Sequence, residues 1–434
     1  MNDLKGYMPY LTQAVPHMVD TIFMRGQGPY IWDHNDRRYL DFTSGIGVVN
    51  TGHCHPKVVA AIHEQADLLL HTHQNTAFHA PMLRVIQGLR GILPSQLDTY
   101  FFANSGAEAV ESALKLARQA TKKPNIIAFQ RSFHGRTVGT MSLTASKTIY
   151  RAGYQPLMPG VFFAPFAYCY RCPKAEADPE KFGFDKDCNW VLEELDFILH
   201  SQTSPEETAA VIVEPVLGEG GYIIPPKRFL QGLRKMCDEH GILLIIDEIQ
   251  SGFGRTGRYF AFEHFDILPD ILIMAKGLAS GMPLSCIASK KEVMEKATPG
   301  SHGGTYGGNA VACAAAAASI KVYKEENLLE NATQLGKKLL DRLQIFKSKY
   351  PSIGDVRGLG LMAGVEFVKP GGKIPDRDKA GAVKKACVEG GLLILTCGTY
   401  DNIIRWIPPL IINKGHLEEG LAIFERALEK TAKT

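Results

Sequence analysis

A lysine closes an unbroken apolar run in Asp270-Ile271-Leu272-Ile273-Met274-Ala275-Lys276-Gly277. An amine in apolar surroundings sheds its proton more readily than one in water, and the neutral amine is the nucleophile of Schiff-base chemistry. An isolated lysine in this position more often serves to reach solvent from a sheet edge. A second apolar run, Ile245-Ile246-Asp247-Glu248-Ile249-Gln250, passes into an acid 29 residues before Lys276. That spacing is one strand–helix–strand unit, so both groups can stand at the carboxyl edge of one parallel sheet, where ligands of open α/β folds bind. A buried Asp247 there needs a cationic partner; capping a following helix is its alternative use.

A third signal, Phe102-Ala103-Asn104-Ser105-Gly106-Ala107-Glu108, carries a strand into a helix through small residues. Ser105 suits the N-cap and leaves the amides of Gly106 and Ala107 at the positive end of the helix. That arrangement binds phosphate without any charged side chain. An ordinary capped helix start has the same pattern.

The elements that must position these groups follow from the apolar pattern. Between Thr99 and Ser289 short apolar runs alternate with helical stretches, as in an α/β fold with a largely parallel sheet. The pattern predicts strands at Thr99–Ala103, Ile126–Arg131, Val161–Pro165, Ala210–Glu214, Ile242–Asp247, Ile271–Ala275 and Ser285–Ser289. These runs show little polar alternation, as expected of strands covered on both faces. Ala107, Val110, Leu114 and Ala117 have helical spacing, and a helix from Leu328 to Phe346 carries its lysines on a solvated face. Tyr30–Asp33 and Arg38–Phe42 read as short strands, and Gly354–Gly364 as a turn-rich opening to the last part of the chain. A large domain is expected at 56–324, with segment 1–55 joining a smaller lobe made from 325–434.

Composition narrows the function classes. The 434 residues contain 48 Lys+Arg against 45 Asp+Glu, a net charge of +3, which gives no reason to expect nucleic acid or anionic membrane as a principal partner. With 45% hydrophobic and 21% charged residues, the chain is globular rather than disordered. Residues 1–5 lack the basic and apolar regions of a secretory signal. The apolar stretch near 310–320 is short of the roughly 20 residues of a membrane span. Nine scattered cysteines point to free thiols and a cytoplasmic location. Cys169-x-x-Cys172 has only Cys188 nearby, and His53, His55, His71, His73 and His79 lack ligand spacing, so no metal is expected.

Together the motifs resemble the class III, or omega, aminotransferases that use pyridoxal phosphate, over nearly the whole chain. The residues that carry the resemblance are Ser105-Gly106-Ala107-Glu108, Phe133-His134-Gly135-Arg136-Thr137, Glu214-Pro215-Val216, Gly218-Glu219-Gly220-Gly221, the stretch from Asp247 to Gly257, Lys276, and Gly303-Gly304-Thr305-Tyr306. The resemblance implies a fold-type I α/β transferase, with a mainly parallel seven-stranded sheet in the large domain and a smaller α+β lobe from both termini. It implies that Lys276 carries the cofactor as a Schiff base and moves the substrate proton, while Asp247 keeps the ring nitrogen protonated. Ser105, Gly106 and Ala107 would hold the phosphate. Phe133 and Ile249 would cover the ring faces with His134 beside them, and Gln250 would reach the ring hydroxyl. Thr305 would reach the phosphate of a neighbouring subunit, in a homodimer or a dimer of dimers.

Within that family the chain is most similar to the 4-aminobutyrate aminotransferases, through Arg136, Glu219 and Arg405, with Cys397-Gly398 shortly before the last. The two carboxylates of glutamate can engage both arginines in bidentate pairs. 4-Aminobutyrate has no carboxylate on its amine-bearing carbon, so Glu219 would then pair with Arg405. Ile46 completes the expected substrate contacts. The reaction expected is ping-pong transfer from 4-aminobutyrate to 2-oxoglutarate, giving succinate semialdehyde and glutamate. Ornithine, lysine and 5-aminovalerate are alternative donors, and racemisation or epimerisation of free amino acids is the alternative reaction. Leu217, Trp406 and the tract Tyr168–Pro173 depart from the family pattern.

Overall fold

Two small sheets and one large one organise the chain, and the computed structural model describes residues 4–177 and 189–432 of it. Cys188 lies outside the described residues. The strands β1 (Phe23–Gln27), β2 (Tyr30–Asp33) and β3 (Arg38–Asp41) form an antiparallel meander near the N-terminus.

The large sheet uses seven strands: β4 (Thr99–Ala103), β5 (Asn125–Phe129), β6 (Val161–Ala164), β7 (Thr208–Val213), β8 (Leu243–Asp247), β9 (Ile271–Met274) and β10 (Ser285–Ser289). Their order is β4-β10-β9-β8-β7-β5-β6, and only β10 runs against the others. The expected runs are all present: β4 and β10 have the expected bounds, and the other strands differ by at most two residues at either end. Strand β5 stops at Phe129 because the chain turns there, with Arg131 at φ +69°.

Both faces are covered, which explains the unbroken apolar runs. Alternate residues divide between the faces. Ala210, Ile212, Ile245 and Ile273 pack with Ala109, Val110, Ala113 and Ala117 of the helix Gly106–Thr121. Val211, Val213, Leu244, Ile246 and Leu272 join the larger cluster on the other side.

The C-terminal part holds β11 (Ile353–Leu359), β12 (Met362–Phe367), β13 (Leu392–Leu393), β14 (Leu395–Cys397) and β15 (Ile403–Trp406). Four of them form an antiparallel sheet in the order β11-β12-β15-β14. Strand β13 instead pairs in parallel with β3, Leu392 opposite Leu40, so the two chain ends share a sheet. The turn-rich reading of Gly354–Gly364 is corrected by β11 and β12, a hairpin. Its glycines answer crowding rather than breaking strands: a Cβ on Gly358 would lie 2.8 Å from Ala363, and one on Gly354 would strike Tyr170 and Val368. No helix of the described residues is long and apolar enough to cross a membrane.

Candidate active site

A sheet with its strands parallel collects their carboxyl ends on one edge, and the chemistry-bearing residues gather there. Glu214 follows β7, Asp247 ends β8, Lys276 follows β9, and the loop after β5 carries Phe133 and His134. They line a cavity of about 370 Å³ together with Gly106, Ala107, Glu219, Ile249 and Gln250. The antiparallel β10 begins at the same edge and contributes Met282, Pro283 and Leu284 just before it.

At one end the cavity meets the helix Gly106–Thr121. Ser105 caps it: its hydroxyl accepts from the Glu108 amide at 3.2 Å, while Glu108 accepts from the amides of Ser105 and Asn104, both at 2.8 Å. The Ser105 hydroxyl is thus engaged in the cap. The Gly106 and Ala107 amides precede the first intrahelical bond, Ala109 to Ser105. Gly106 has no room for a side chain, since a Cβ would sit 2.9 Å from Cδ1 of Ile249.

Asp247 is buried and finds its partner within the chain. His134 Nδ1 lies 2.7 Å from Asp247 Oδ2, and the Ile249 amide donates to Oδ1 at 3.1 Å. The His134 amide donates to Thr144 at 3.0 Å, which fixes the ring's base. Glu214, for which the sequence offered no role, accepts from the amides of Phe133 and Gly218, each at 2.8 Å. Burial, and Asp247 beside it, push its carboxyl up to about 7 despite His134 and the two amides.

Lys276 occupies a left-handed turn, φ +45°, that a residue other than glycine adopts at a cost of about 1 kcal/mol. Buried neighbours impose it. Tyr323 donates to the Gly277 carbonyl at 2.5 Å, and a Cβ on Gly277 would collide with Asn50. Asn50 in turn donates to Phe253 at 3.0 Å and accepts from the fully buried Arg255 at 2.5 Å. Arg255 also donates to the carbonyls of Leu361, at 3.2 Å, and Pro408. Burial and the Arg405 charge bring the Lys276 ammonium down to about 8, against the pull of Asp247, Glu214 and Glu219. A lysine so placed is neutral in a useful fraction near neutral pH.

Glu219, on the cavity lining, belongs to a carboxylate–guanidinium pair. Arg405, in β15 between Leu395 and Gly364, donates to Glu219 Oε2 at 2.8 Å. Its Nε is buried without a partner among the described residues. The other Glu219 oxygen accepts from Tyr150 at 2.8 Å and from Lys147 at 3.3 Å. Burial opposes the Glu219 charge, yet Arg405 and Lys147 hold its carboxyl below the usual range. Arg136 is exposed, its guanidinium 4.6 Å from the Tyr150 ring centre, and the Tyr150 ring meets Phe133 edge-on at 5.3 Å.

Of the expected residues, Ser105, Arg136 and Arg405 only adjoin the lining, through Gly106, Gly135 and Glu219, while Ile46 and Thr305 stand apart from it within the chain. Ile46 is 43% exposed in a left-handed turn, φ +66°, while Val48 lines the cavity. Thr305 is exposed in a loop where a Cβ on Gly303 or Gly304 would meet nothing within 4 Å. Sequence reasoning missed Glu214, Lys147 and Tyr150 as site residues. Glu214 carried a signal, as an acid ending a predicted strand; Lys147 and Tyr150 carried none.

Two buried polar atoms on cavity-lining residues, His134 Nε2 and Gln250 Oε1, have no partner among the described residues. With the open amides at Gly106 and Ala107, an acid, and a lysine of lowered proton affinity, the donor set fits a phosphorylated heteroaromatic aldehyde. The architecture is that of the fold-type I pyridoxal-phosphate transferases. The family model described as Aminotransferase class-III matches residues 10–428. A probable 4-aminobutyrate aminotransferase from Bacillus subtilis (strain 168) is 42% identical over 421 residues, 96% of this chain and 95% of its own. An alanine/serine racemase from Pyrococcus horikoshii is 39% identical over 94% of this chain and 85% of its own. A solved Bacillus anthracis aminotransferase superposes with a TM-score of 0.90 at 31% identity, covering 98% of each chain. The chain belongs to the class-III aminotransferase family. Its cofactor is pyridoxal phosphate and its substrates are an amino donor and a 2-oxo acid.

Proposed function

We propose that the chain moves the amino group of an ω-amino acid, 4-aminobutyrate first among them, to 2-oxoglutarate, giving succinate semialdehyde and glutamate. The carrying observation is the Glu219–Arg405 pair at 2.8 Å, whose carboxylate lines the same cavity as Lys276, with a second guanidinium, Arg136, exposed against Tyr150 directly after the cavity-lining Gly135. Such a site presents one cation to a monocarboxylate and, once Glu219 leaves Arg405, two cations to a dicarboxylate.

When bound, pyridoxal phosphate supplies an electron sink for the pair released as the C–H bond beside the amine breaks. The residues divide the remaining work. Gly106 and Ala107 hold the phosphate with their amides, Phe133 and Ile249 cover the ring, and Gln250 meets the ring hydroxyl. Asp247, aimed by His134, holds the proton at the ring nitrogen. The Lys276 amine takes the proton from the carbon beside the substrate's amine and would pass it, within the same half-reaction, to the aldehyde-derived carbon of the cofactor; the return half-reaction runs that transfer backwards. Arg136 grips the carboxylate remote from the amine, and Glu219 neutralises Arg405 when the donor has no second carboxylate. Thr305 and the exposed Tyr306 serve the site of a second copy, which makes the unit a homodimer with composite sites; the open space around Gly303 and Gly304 supports this.

The test is a half-reaction with holoenzyme, excess amine and no 2-oxo acid, followed by the visible band of the bound cofactor. Bleaching by 4-aminobutyrate and recovery with 2-oxoglutarate carries the reading; bleaching by 5-aminovalerate or ornithine alone moves the donor within it. The similarity to the Pyrococcus horikoshii racemase favours one other reading. Loss of optical activity from α-amino acids without any 2-oxo acid would establish that reading and refute transamination.

A further inference from the structure

Glu219 has to go somewhere when a dicarboxylate takes Arg405, and the polar contacts around it say where. Its backbone is pinned, because its carbonyl accepts from the Gly398 amide at 2.9 Å, so only side-chain rotation frees Arg405. Its Oε1 already faces the Tyr150 hydroxyl at 2.8 Å and the Lys147 ammonium at 3.3 Å. Lys147 is itself held from the other side by Asp401 at 2.5 Å, in the turn that begins at Gly398. The side chains of Lys147 and Glu219 are only 13% and 14% exposed, so water compensates neither charge well.

We propose that Lys147, with Tyr150 beside it, is the dock that receives Glu219 when it releases Arg405, and that the Lys147–Asp401 pair thereby sets the preference between dicarboxylate and ω-amino monocarboxylate substrates. The inference rests on the transamination reading above and adds a positioning residue to it. The charge balance gives the direction. Arg405, Lys147, Glu219 and Asp401 sum to zero, and an arriving carboxylate makes the group negative by one. With Glu219 on Arg405, loss of Lys147 leaves Glu219 neutralised. With Glu219 displaced, the same loss leaves a buried carboxylate supported by Tyr150 alone, which is the costlier state. Lys147 therefore stabilises the dicarboxylate complex more than the free enzyme. Asp401 acts against it by sharing the ammonium.

The probe is glutarate, a dicarboxylate without amine or keto group, titrated calorimetrically into holoenzyme, with butyrate as the monocarboxylate control. K147M weakens glutarate by about tenfold relative to butyrate, the worth of one charge-assisted hydrogen bond. D401N, which frees Lys147 to approach Glu219, tightens glutarate, so the two variants move in opposite directions. In an E219Q background K147M changes the glutarate-to-butyrate ratio little. The proposal is overturned if K147M leaves the ratio unchanged, if it acts equally in the E219Q background, if D401N also weakens glutarate, or if glutarate does not bind. Failure of the transamination reading is separate: it shows as an unbleached cofactor band with every ω-amino acid, whatever the glutarate series does.

Discussion

The lowered proton affinity of Lys276 can be measured directly in the cofactor-free protein. The fall from 10.5 to about 8 has burial as its larger cause and Arg405 as its second, with Asp247, Glu214 and Glu219 opposing. It corresponds to a loss of roughly 300-fold in proton affinity. At pH 8 about half of Lys276 is then neutral, whereas an ordinary lysine is about 0.3% neutral. Competitive acetylation of apoenzyme with trace anhydride, read peptide by peptide by mass spectrometry from pH 6 to 11, reports the midpoint. The exposed Lys235 provides the internal reference. Lys276 should titrate near pH 8. R405M removes a neighbouring cation and should raise the midpoint, while D247N removes a favourable carboxylate and should lower it. The sign for stability follows: the unfolded chain keeps this proton to about 10.5 and the folded chain releases it near 8. The contribution of Lys276 to apoenzyme stability therefore rises between those values. A midpoint near 10 in the parent protein, or the same direction of change in both variants, would refute the electrostatic account.

Three further outcomes follow from the geometry. E219Q leaves Arg405 with an uncharged partner. The half-reaction with 4-aminobutyrate should lose about 10- to 100-fold in kcat/KM, while that with glutamate changes far less. G106A drives a methyl group into Ile249, 2.9 Å from its Cδ1, and displaces that side chain within the cavity both residues line; equilibrium dialysis should show pyridoxal phosphate bound about tenfold or more weakly, with the melting temperature little changed. R255K cannot span the carbonyls of Leu361 and Pro408 and the side chain of Asn50 with one ammonium. It should lower stability by about 2–4 kcal/mol in denaturant titration, and unchanged stability would dismiss the clamp beneath Lys276.

The large sheet was legible because its strands are buried on both faces. Burial writes itself into sequence as runs such as Ile242–Asp247 and Ile271–Ala275, and the polar residue that ends a run marks the sheet edge. The spacing of those two runs is enough to set Asp247 and Lys276 side by side. The Ser105 cap was equally local. The strand Ile353–Leu359 was obscured because its glycines are required by contacts from other segments: Tyr170 against Gly354, and Ala363 against Gly358.

The sequence by itself determined the α/β layering, the strand ends that carry the lysine and the acid, and the capped helix start, since each depends on a few consecutive residues and their burial. Tertiary structure alone decided that His134 aims Asp247, that Glu214 is pushed up to about 7, and that Glu219 stands between Arg405 on one side and Lys147 with Tyr150 on the other. Those groups come from loops and strands far apart in the chain. The strength and sign of their charges depend on distance and on the exclusion of water, neither of which is written in local sequence.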